Sequence, residues 1–266
     1  MPRVRPVAVV GNLSLDLVDG ARPRPGGPPF HASRALAALR VPTLVRAKCA
    51  PGDRPRFARA LAAFGLPIDW RAGASTATYA FSYKGDARTM EVQALGSQWA
   101  PPEVAGLRAR WVHVGALFRG EFPDQTLAAL AERARISFDG QGLVRPARLG
   151  PLELDPDPEP TFLRHVSVLK LAEEEALALV DRLDERELSE LGVPEVVVTL
   201  GARGCLVVAR RRLVHVPTDP LTGIDPTGAG DAFAAAYAVE RGRALPPRQA
   251  AQRATRLVHG LLARAR

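Results

Sequence analysis

Short apolar runs alternate with amphipathic stretches along almost the whole chain. Val7–Val10, Thr43–Ala47, Trp111–Leu117, Val166–Leu169 and Glu195–Leu200 are compact runs bounded by glycine, proline or charge, the mark of buried strands. Ile136–Phe138 is a further strand and ends at Asp139. Between them, Ala32–Leu39, Arg54–Phe64, Gln125–Ala134 and Glu173–Leu183 predict helices, and in Arg54–Phe64 the apolar Phe57, Leu61 and Phe64 recur at helical spacing. Ala232–Arg241 and Arg248–Ala263 predict two closing helices. Strand–helix alternation of this kind predicts an α/β fold, a mainly parallel sheet covered by helices on both faces, in a single domain over residues 1–266. Gly204–Ala209 and Leu213–Val216 flank Arg210-Arg211-Arg212 and predict an antiparallel hairpin at one edge.

One section breaks the rhythm. Thr76–Tyr83 alternates polar and apolar or aromatic residues, Lys84-Gly85-Asp86-Ala87 supplies a turn, and Arg88–Gln93 alternates again. This hairpin has no neighbouring helix and so is expected to leave the main sheet. Asp155-Pro156-Asp157-Pro158-Glu159-Pro160 is a stiff acidic connection rather than a domain boundary.

Composition narrows the classes. With 266 residues, 47% of them hydrophobic, the chain can bury a large core and is not disordered. No apolar run is long enough to span a bilayer, and the run at Val7–Val10 is too short for a signal peptide, so a cytoplasmic setting is expected. Cys49 and Cys205 sit in apolar, strand-like contexts and read as buried free thiols. The five histidines show no metal-ligand spacing. The net charge of +8 would suit nucleic acid, but the basic residues are almost all arginines spread through the chain. Their one tight cluster falls on the expected hairpin turn, so no nucleic-acid partner is expected.

The chemistry concentrates in Gly223-Ile224-Asp225-Pro226-Thr227-Gly228-Ala229-Gly230-Asp231-Ala232-Phe233. A Gly-Ala-Gly turn feeding a helix offers unpaired N–H groups and the positive end of a dipole, which bind phosphate. Asp231 beside such a cradle suits phosphoryl transfer, where a carboxylate accepts the proton of the attacking hydroxyl. A plain helix cap is the alternative reading of Asp231. Gly11-Asn12-Leu13-Ser14-Leu15-Asp16 leaves the first strand, and a carboxylate there lies where α/β sheets bind ligands, although a turn cap is again the alternative. Asp139-Gly140-Gln141-Gly142-Leu143-Val144-Arg145 carries three side chains able to reach a hydroxylated or phosphorylated ligand. Thr199-Leu200-Gly201-Ala202-Arg203-Gly204 leaves a strand and turns on two glycines, as a nucleotide loop or a simple hairpin does.

Taken in order, these segments resemble the ribokinase/PfkB family of sugar and nucleoside kinases, and Asp225, Thr227, Gly228, Ala229, Gly230 and Asp231 match its C-terminal signature. The resemblance implies that Asp231 is the catalytic base and that the N–H groups of residues 228–231 form an anion hole. It further implies substrate binding by Asn12, Asp16 and the Gly26-Gly27 motif, and a nucleotide loop at Thr199, Gly201 and Gly204. His31 stands where the family commonly has asparagine. Asp139, Gln141 and Arg145 fit the Asp-x-Gln-Gly-x-x-Arg segment of the myo-inositol kinase branch. Glu175 matches the acid of a motif that organises magnesium through water, but Ala172 replaces its asparagine, and acids in a first helical turn also offset the dipole. The expected activity is ATP- and Mg²⁺-dependent phosphorylation of a polyol such as myo-inositol. A sugar or nucleoside kinase, or a non-catalytic binding member, is the alternative. The family also implies a small β lid from about residues 17–25 and 74–95, which could pair two copies of the chain.

Overall fold

The computed structural model describes residues 5–84, 87–156 and 161–264. The expected turn residues Gly85 and Asp86, and Asp157–Pro160 of the acidic connection, lie outside the described residues. The strands are β1 (Arg5–Asn12), β2 (Ser14–Val18), β3 (Arg24–Gly26), β4 (Thr43–Cys49), β5 (Ile68–Ala72), β6 (Ala77–Lys84), β7 (Ala87–Ala94), β8 (Ala109–Gly115), β9 (Arg135–Asp139), β10 (Gly150–Pro151), β11 (Val166–Ala172), β12 (Glu195–Thr199), β13 (Cys205–Ala209) and β14 (Arg212–Val216). The helices are α1 (Pro28–Leu39), α2 (Arg54–Ala62), α3 (Pro101–Val104), α4 (Asp124–Ala131), α5 (Gln141–Val144), α6 (Glu173–Leu177), α7 (Glu185–Glu190), α8 (Ala229–Gly242) and α9 (Pro247–Ala263).

Among the described residues, nine strands form one sheet in the order β14-β13-β12-β11-β9-β8-β1-β4-β5. Every pairing from β12 through β11, β9, β8, β1 and β4 to β5 is parallel, and β13 and β14 close the edge antiparallel, as expected. Strand alternation sorts the core onto two faces. Ala8, Val10, Val112, Val114, Val196 and Val198 pack on one side, and Val7, Val9, Val45, Val168, Val197 and Val207 on the other. Cys49 and Cys205 are buried free thiols, and burial pushes each up to about 11. Arg210 and Arg211 both take positive φ in the two-residue turn between β13 and β14, with exposed side chains. Among the described residues no helix is long and apolar enough to cross a membrane.

A second sheet, β10-β7-β6-β2-β3, stands apart from the first. The expected hairpin is its centre, and β2 pairs parallel with β6. It is larger than the sequence indicates. It begins at Ser14 rather than near residue 17, and it gains β10, whose Gly150 and Pro151 pair with Val92 and Glu91. Its inner face forms a satellite core of Ala77, Tyr79, Phe81 and Val92 against Leu117 and Phe118, which follow β8.

Several boundaries differ from expectation for local reasons. α1 starts at Pro28, four residues early, because prolines need no N–H acceptor in a first turn. The expected helix 173–183 is cut short: α6 stops at Leu177, and a separate helix, α7, starts only beyond that range, where the Asp184 carboxylate accepts the Glu187 N–H at 3.0 Å. β5, an edge strand with only half-buried side chains, has no clean alternation to announce it. α8 begins at Ala229, so Gly228-Ala229-Gly230-Asp231 is the opening of the helix itself rather than a turn before it.

The two faces predict stability effects. Leu36→Ala, at a fully buried site between α1 and the sheet, is expected to cost about 2–5 kcal/mol in urea unfolding. Leu177→Ala, at a site 48% exposed, is expected to stay within about 0.5 kcal/mol. Equal midpoint shifts would contradict this assignment of the core.

Candidate active site

The C-terminal ends of the central parallel strands meet the second sheet, and a cavity of about 440 Å³ lies between them. This is the crevice in which open α/β sheets hold ligands. Asp16 of β2 lines it, with the Ser14 hydroxyl donating to its Oδ1 at 2.7 Å. Gly26 on β3 pairs with Ser14 and does not line the cavity; a Cβ there would come within 2.1 Å of Asp16 Oδ2, so the missing side chain makes room for the carboxylate. Gly27 caps α1 and does line the cavity. Asn12 lies behind, buried, its Nδ2 donating to Ser97 O at 2.8 Å.

From the sheet side, β9 ends in the buried Asp139. Its Oδ1 accepts the Gln141 N–H at 3.1 Å, and its Oδ2 lies 3.4 Å from Lys170 Nζ on β11. Asp139 itself does not line the cavity, whereas Gln141, Arg145 and Lys170 do. Arg145 Nη2 lies 3.4 Å from Glu175 Oε1. Glu175 Oε2 accepts the Ala172 N–H at 2.8 Å, capping α6 from within. Both oxygens of this buried carboxylate are therefore engaged, and Ala172 offers no side-chain donor. Among the described residues no three His, Cys, Asp or Glu groups gather in a metal-binding set. These residues do not form a direct protein cage for Mg²⁺, which any water-mediated role of Glu175 would not require; Glu175 caps α6 and also restrains Arg145.

The opening of α8 forms the floor. Gly228 takes φ 74° and packs on His31 so closely that a Cβ would meet His31 Nδ1 at 2.1 Å, so only glycine fits both the backbone and the space. Burial, with the nearby Arg34, holds the His31 imidazole down at about 4, so it is neutral at physiological pH. The Ala229 N–H donates to Pro226 O at 2.9 Å and is already engaged. Gly230 and Asp231, second and third in the helix, have N–H groups without an intrahelical acceptor. The Asp231 carboxylate is buried and its Oδ1 has no partner. Burial first, and then the neighbouring Asp139, raise its pKa to about 7, against the pull of Lys170 and Arg145.

Two further cavities adjoin this one. A small apolar one of about 200 Å³ shares Thr199, Gly201 and Gly230 with the central site and is walled by Gly204, Ala229, Phe233, Val258 and Leu262. A wider one of about 730 Å³ shares Asp16, His31 and Thr227 with it and reaches Asp225, Arg24 and Arg34. The Asp225 Oδ1 accepts the Thr227 N–H at 2.9 Å and shapes the approach to α8.

Sequence reasoning did not assign a role to Lys170, although a lysine in the apolar run Val166–Ala172 is an audible signal. It also passed over Glu121, which is buried, accepts N–H bonds from Leu117 at 2.7 Å and Asn12 at 3.3 Å, and is pushed up to about 8 by burial. Glu121 ties the loop after β8 to the end of β1. The apolar wall of Tyr79, Phe81, Met90 and Leu117 was visible only as strand alternation for the first three and as the end of an apolar run for Leu117.

Comparison with known proteins bears on the family and the fold. A model of the pfkB family carbohydrate kinases matches residues 59–257. The ribokinase of Bacillus subtilis is 26% identical over 257 residues, 89% of this chain and 85% of that protein. A shorter match to the ribokinase of Mus musculus, 45% identical over 53 residues, covers 19% of this chain and 16% of that protein. Among solved structures, a pyrophosphate-dependent kinase in the ribokinase family, complexed with a pyrophosphate analogue and myo-inositol, superposes with a TM-score of 0.85 at 21% identity, over 97% of this chain and 95% of that one. The Arabidopsis thaliana ribokinase complexed with ribose and ATP gives 0.70 at 18% identity, over 95% and 91%. At these identities the structures establish the ribokinase-like fold, and the family model spans well over half of the sequence: the chain belongs to the PfkB family of carbohydrate kinases.

Proposed function

We propose that this kinase transfers a phosphoryl group from a phosphoanhydride donor to a hydroxyl of a small polyol, with myo-inositol or a related cyclitol as the leading acceptor. The observation that carries the reading is Asp231 in the first turn of α8, a buried carboxylate with an unpartnered Oδ1, which lines a cavity that also receives Lys170 and Arg145. The acceptor lies toward the second sheet, its hydroxyls donating to Asp16 and one of them to Asp231. Neutral His31 and Gln141 offer further polar contacts, and Tyr79, Phe81 and Leu117 exclude water from that side. As the hydroxyl oxygen bonds to phosphorus, its proton passes to Asp231, and the N–H groups of Gly230 and Asp231 hold the charge on the phosphoryl oxygens. The transition state of such transfers is loose, so orientation and late proton acceptance suffice. The second sheet then acts as a lid over the acceptor, and a second copy of the chain could cover its outer face. A cytoplasmic setting belongs to the same proposal.

For the donor, the apolar cavity beside Gly201 and Phe233 supports ATP, because a base can enter there with its phosphates directed at Gly230. Pyrophosphate is the second reading, favoured by two cations turned onto the phosphoryl position and by the donor of the structural neighbour with the 0.85 superposition. Turnover measured with ATP and with pyrophosphate, each against myo-inositol, ribose, fructose and nucleosides, tests the whole reading. Absence of transfer with every pair would sink it. Val258→Trp, filling the apolar cavity, is expected to raise the KM for ATP at least tenfold and to leave that for pyrophosphate unchanged; equal effects on both would argue that no base binds there.

Two predictions concern the reacting groups. Asp231→Asn is expected to lower kcat by about 10²–10⁴ while donor binding persists, since an amide cannot take the proton as a carboxylate does. Asp16→Ala is expected instead to raise the acceptor KM with little change in donor affinity. A third concerns pH. Only ionised Asp231 accepts a proton, and its pKa is raised to about 7, so kcat/KM is expected to climb with pH up to about 7 and level off above it. A profile already flat from pH 5 would contradict the base assignment.

A further inference from the structure

Lys170 is the charged group that the proposed proton transfer leaves without a task. It interrupts the apolar β11 and is almost fully buried. A buried ammonium costs several kcal/mol unless its donors are met. Its one described hydrogen-bond partner is Asp139, at a stretched 3.4 Å, where charge-assisted bonds usually close to about 2.8 Å. An ammonium has three donors, so this lysine is tethered rather than satisfied. Its free side points at α8: a Cβ built on Gly230 would lie 3.0 Å from Nζ, and no side chain stands between the ammonium and the first turn of that helix. Arg145 repeats the pattern, with Nη2 3.4 Å from Glu175 and its buried Nε unpartnered. Two cations are thus held loosely by carboxylates around the place where the phosphoryl oxygens would sit. Meanwhile the metal-organising position is empty of donors at Ala172, and Glu175 is engaged in capping.

We propose that Lys170 is a catalytic residue: its ammonium donates to an oxygen of the transferring phosphoryl group and neutralises the charge there, with Asp139 as the positioning residue that aims it. The proposal rests on the phosphoryl-transfer reading above. In the step, the acceptor oxygen forms its bond to phosphorus, the bond from phosphorus to the bridging oxygen breaks, and that electron pair leaves with the departing phosphate or diphosphate. The acceptor proton goes to Asp231, and Lys170 keeps its own proton throughout. Its pKa is raised by Asp139, Glu175 and Asp231 despite burial, consistent with a permanently charged group.

The test compares Lys170→Met, Lys170→Arg and Asp139→Asn with the unaltered protein, by kinetics and by calorimetric titration with inorganic pyrophosphate. Removal of one donor to developing charge lowers kcat by about 10²–10³ in comparable sites, and that loss is expected for Lys170→Met, with the acceptor KM within about threefold, as for a contact made in the transition state. Pyrophosphate binding should weaken about tenfold. Lys170→Arg should recover part of kcat, and Asp139→Asn should lose less than Lys170→Met. Circular dichroism and urea midpoints check folding, and Lys170→Gln replaces the methionine variant should that misfold. A Lys170→Met enzyme with kcat within threefold of the original, or unchanged pyrophosphate affinity in a folded variant, overturns the proposal. If the unaltered protein turns over no acceptor, the functional reading fails by itself, and the pyrophosphate titration still decides whether Lys170 contacts the anion.

Discussion

The burial of α8 is the constraint on which the rest of the site depends. From Asp231 to Glu240 every residue of this helix is buried, and half of them are alanines. Small side chains let α1 and α9 approach its backbone closely, so the helix is packed without a solvent face. Its far end is pinned: Tyr237 donates its hydroxyl to Glu195, and Arg241 Nε meets the same carboxylate at 3.1 Å. Glu240, equally buried, is held by Arg243 at 2.7 Å and Arg253 at 3.4 Å. A helix fixed along its length cannot slide, so its opening turn stays at the strand ends with its N–H groups and Asp231 turned into the crevice.

Around that opening the electrostatics are a balance among five charged groups from separate elements: Asp139, Arg145, Lys170, Glu175 and Asp231. No pair among them closes to a short contact; Lys170 to Asp139 and Arg145 to Glu175 both stand at 3.4 Å. The carboxylates are fixed by backbone N–H groups, Asp139 by Gln141 and Glu175 by Ala172, so the cations are restrained while keeping donors for a ligand. In a buried site such charges interact strongly, which is why the Asp231 pKa is driven up while Lys170, among three carboxylates, stays charged.

The second sheet meets the first through a short crossing. Leu13 donates its N–H to Lys48 O at 2.9 Å, the chain turns, and β2 begins at once. Glu121 gathers the N–H groups of Asn12 and Leu117 and so joins this crossing to the loop that carries the satellite core. The side of the crevice formed by the second sheet is therefore set by a few buried polar contacts, whereas the opposite side is set by a packed helix.

The alternation of strands and helices, the arginine turn, the departing hairpin and the Gly-Ala-Gly-Asp string beside a helix were all legible in the sequence, because each rests on local periodicity or on the backbone freedom of particular residues. The resemblance to PfkB kinases likewise followed from contiguous strings around Asp231, Thr199 and Asp139. What only the tertiary structure decided was partnership across long separations. Glu175 reads in the sequence either as an acid that organises a metal through water or as an acid in a first helical turn; that its oxygens meet Ala172 and Arg145 appears only in the fold. Gly26 reads as a substrate contact until the Asp16 carboxylate is found to need its space. Lys170 reads as an oddity in an apolar strand until β9, β11 and α8 converge on it. Periodicity along a chain encodes which face a residue presents. Which charge will stand opposite it depends on elements far away in sequence, and so on the fold.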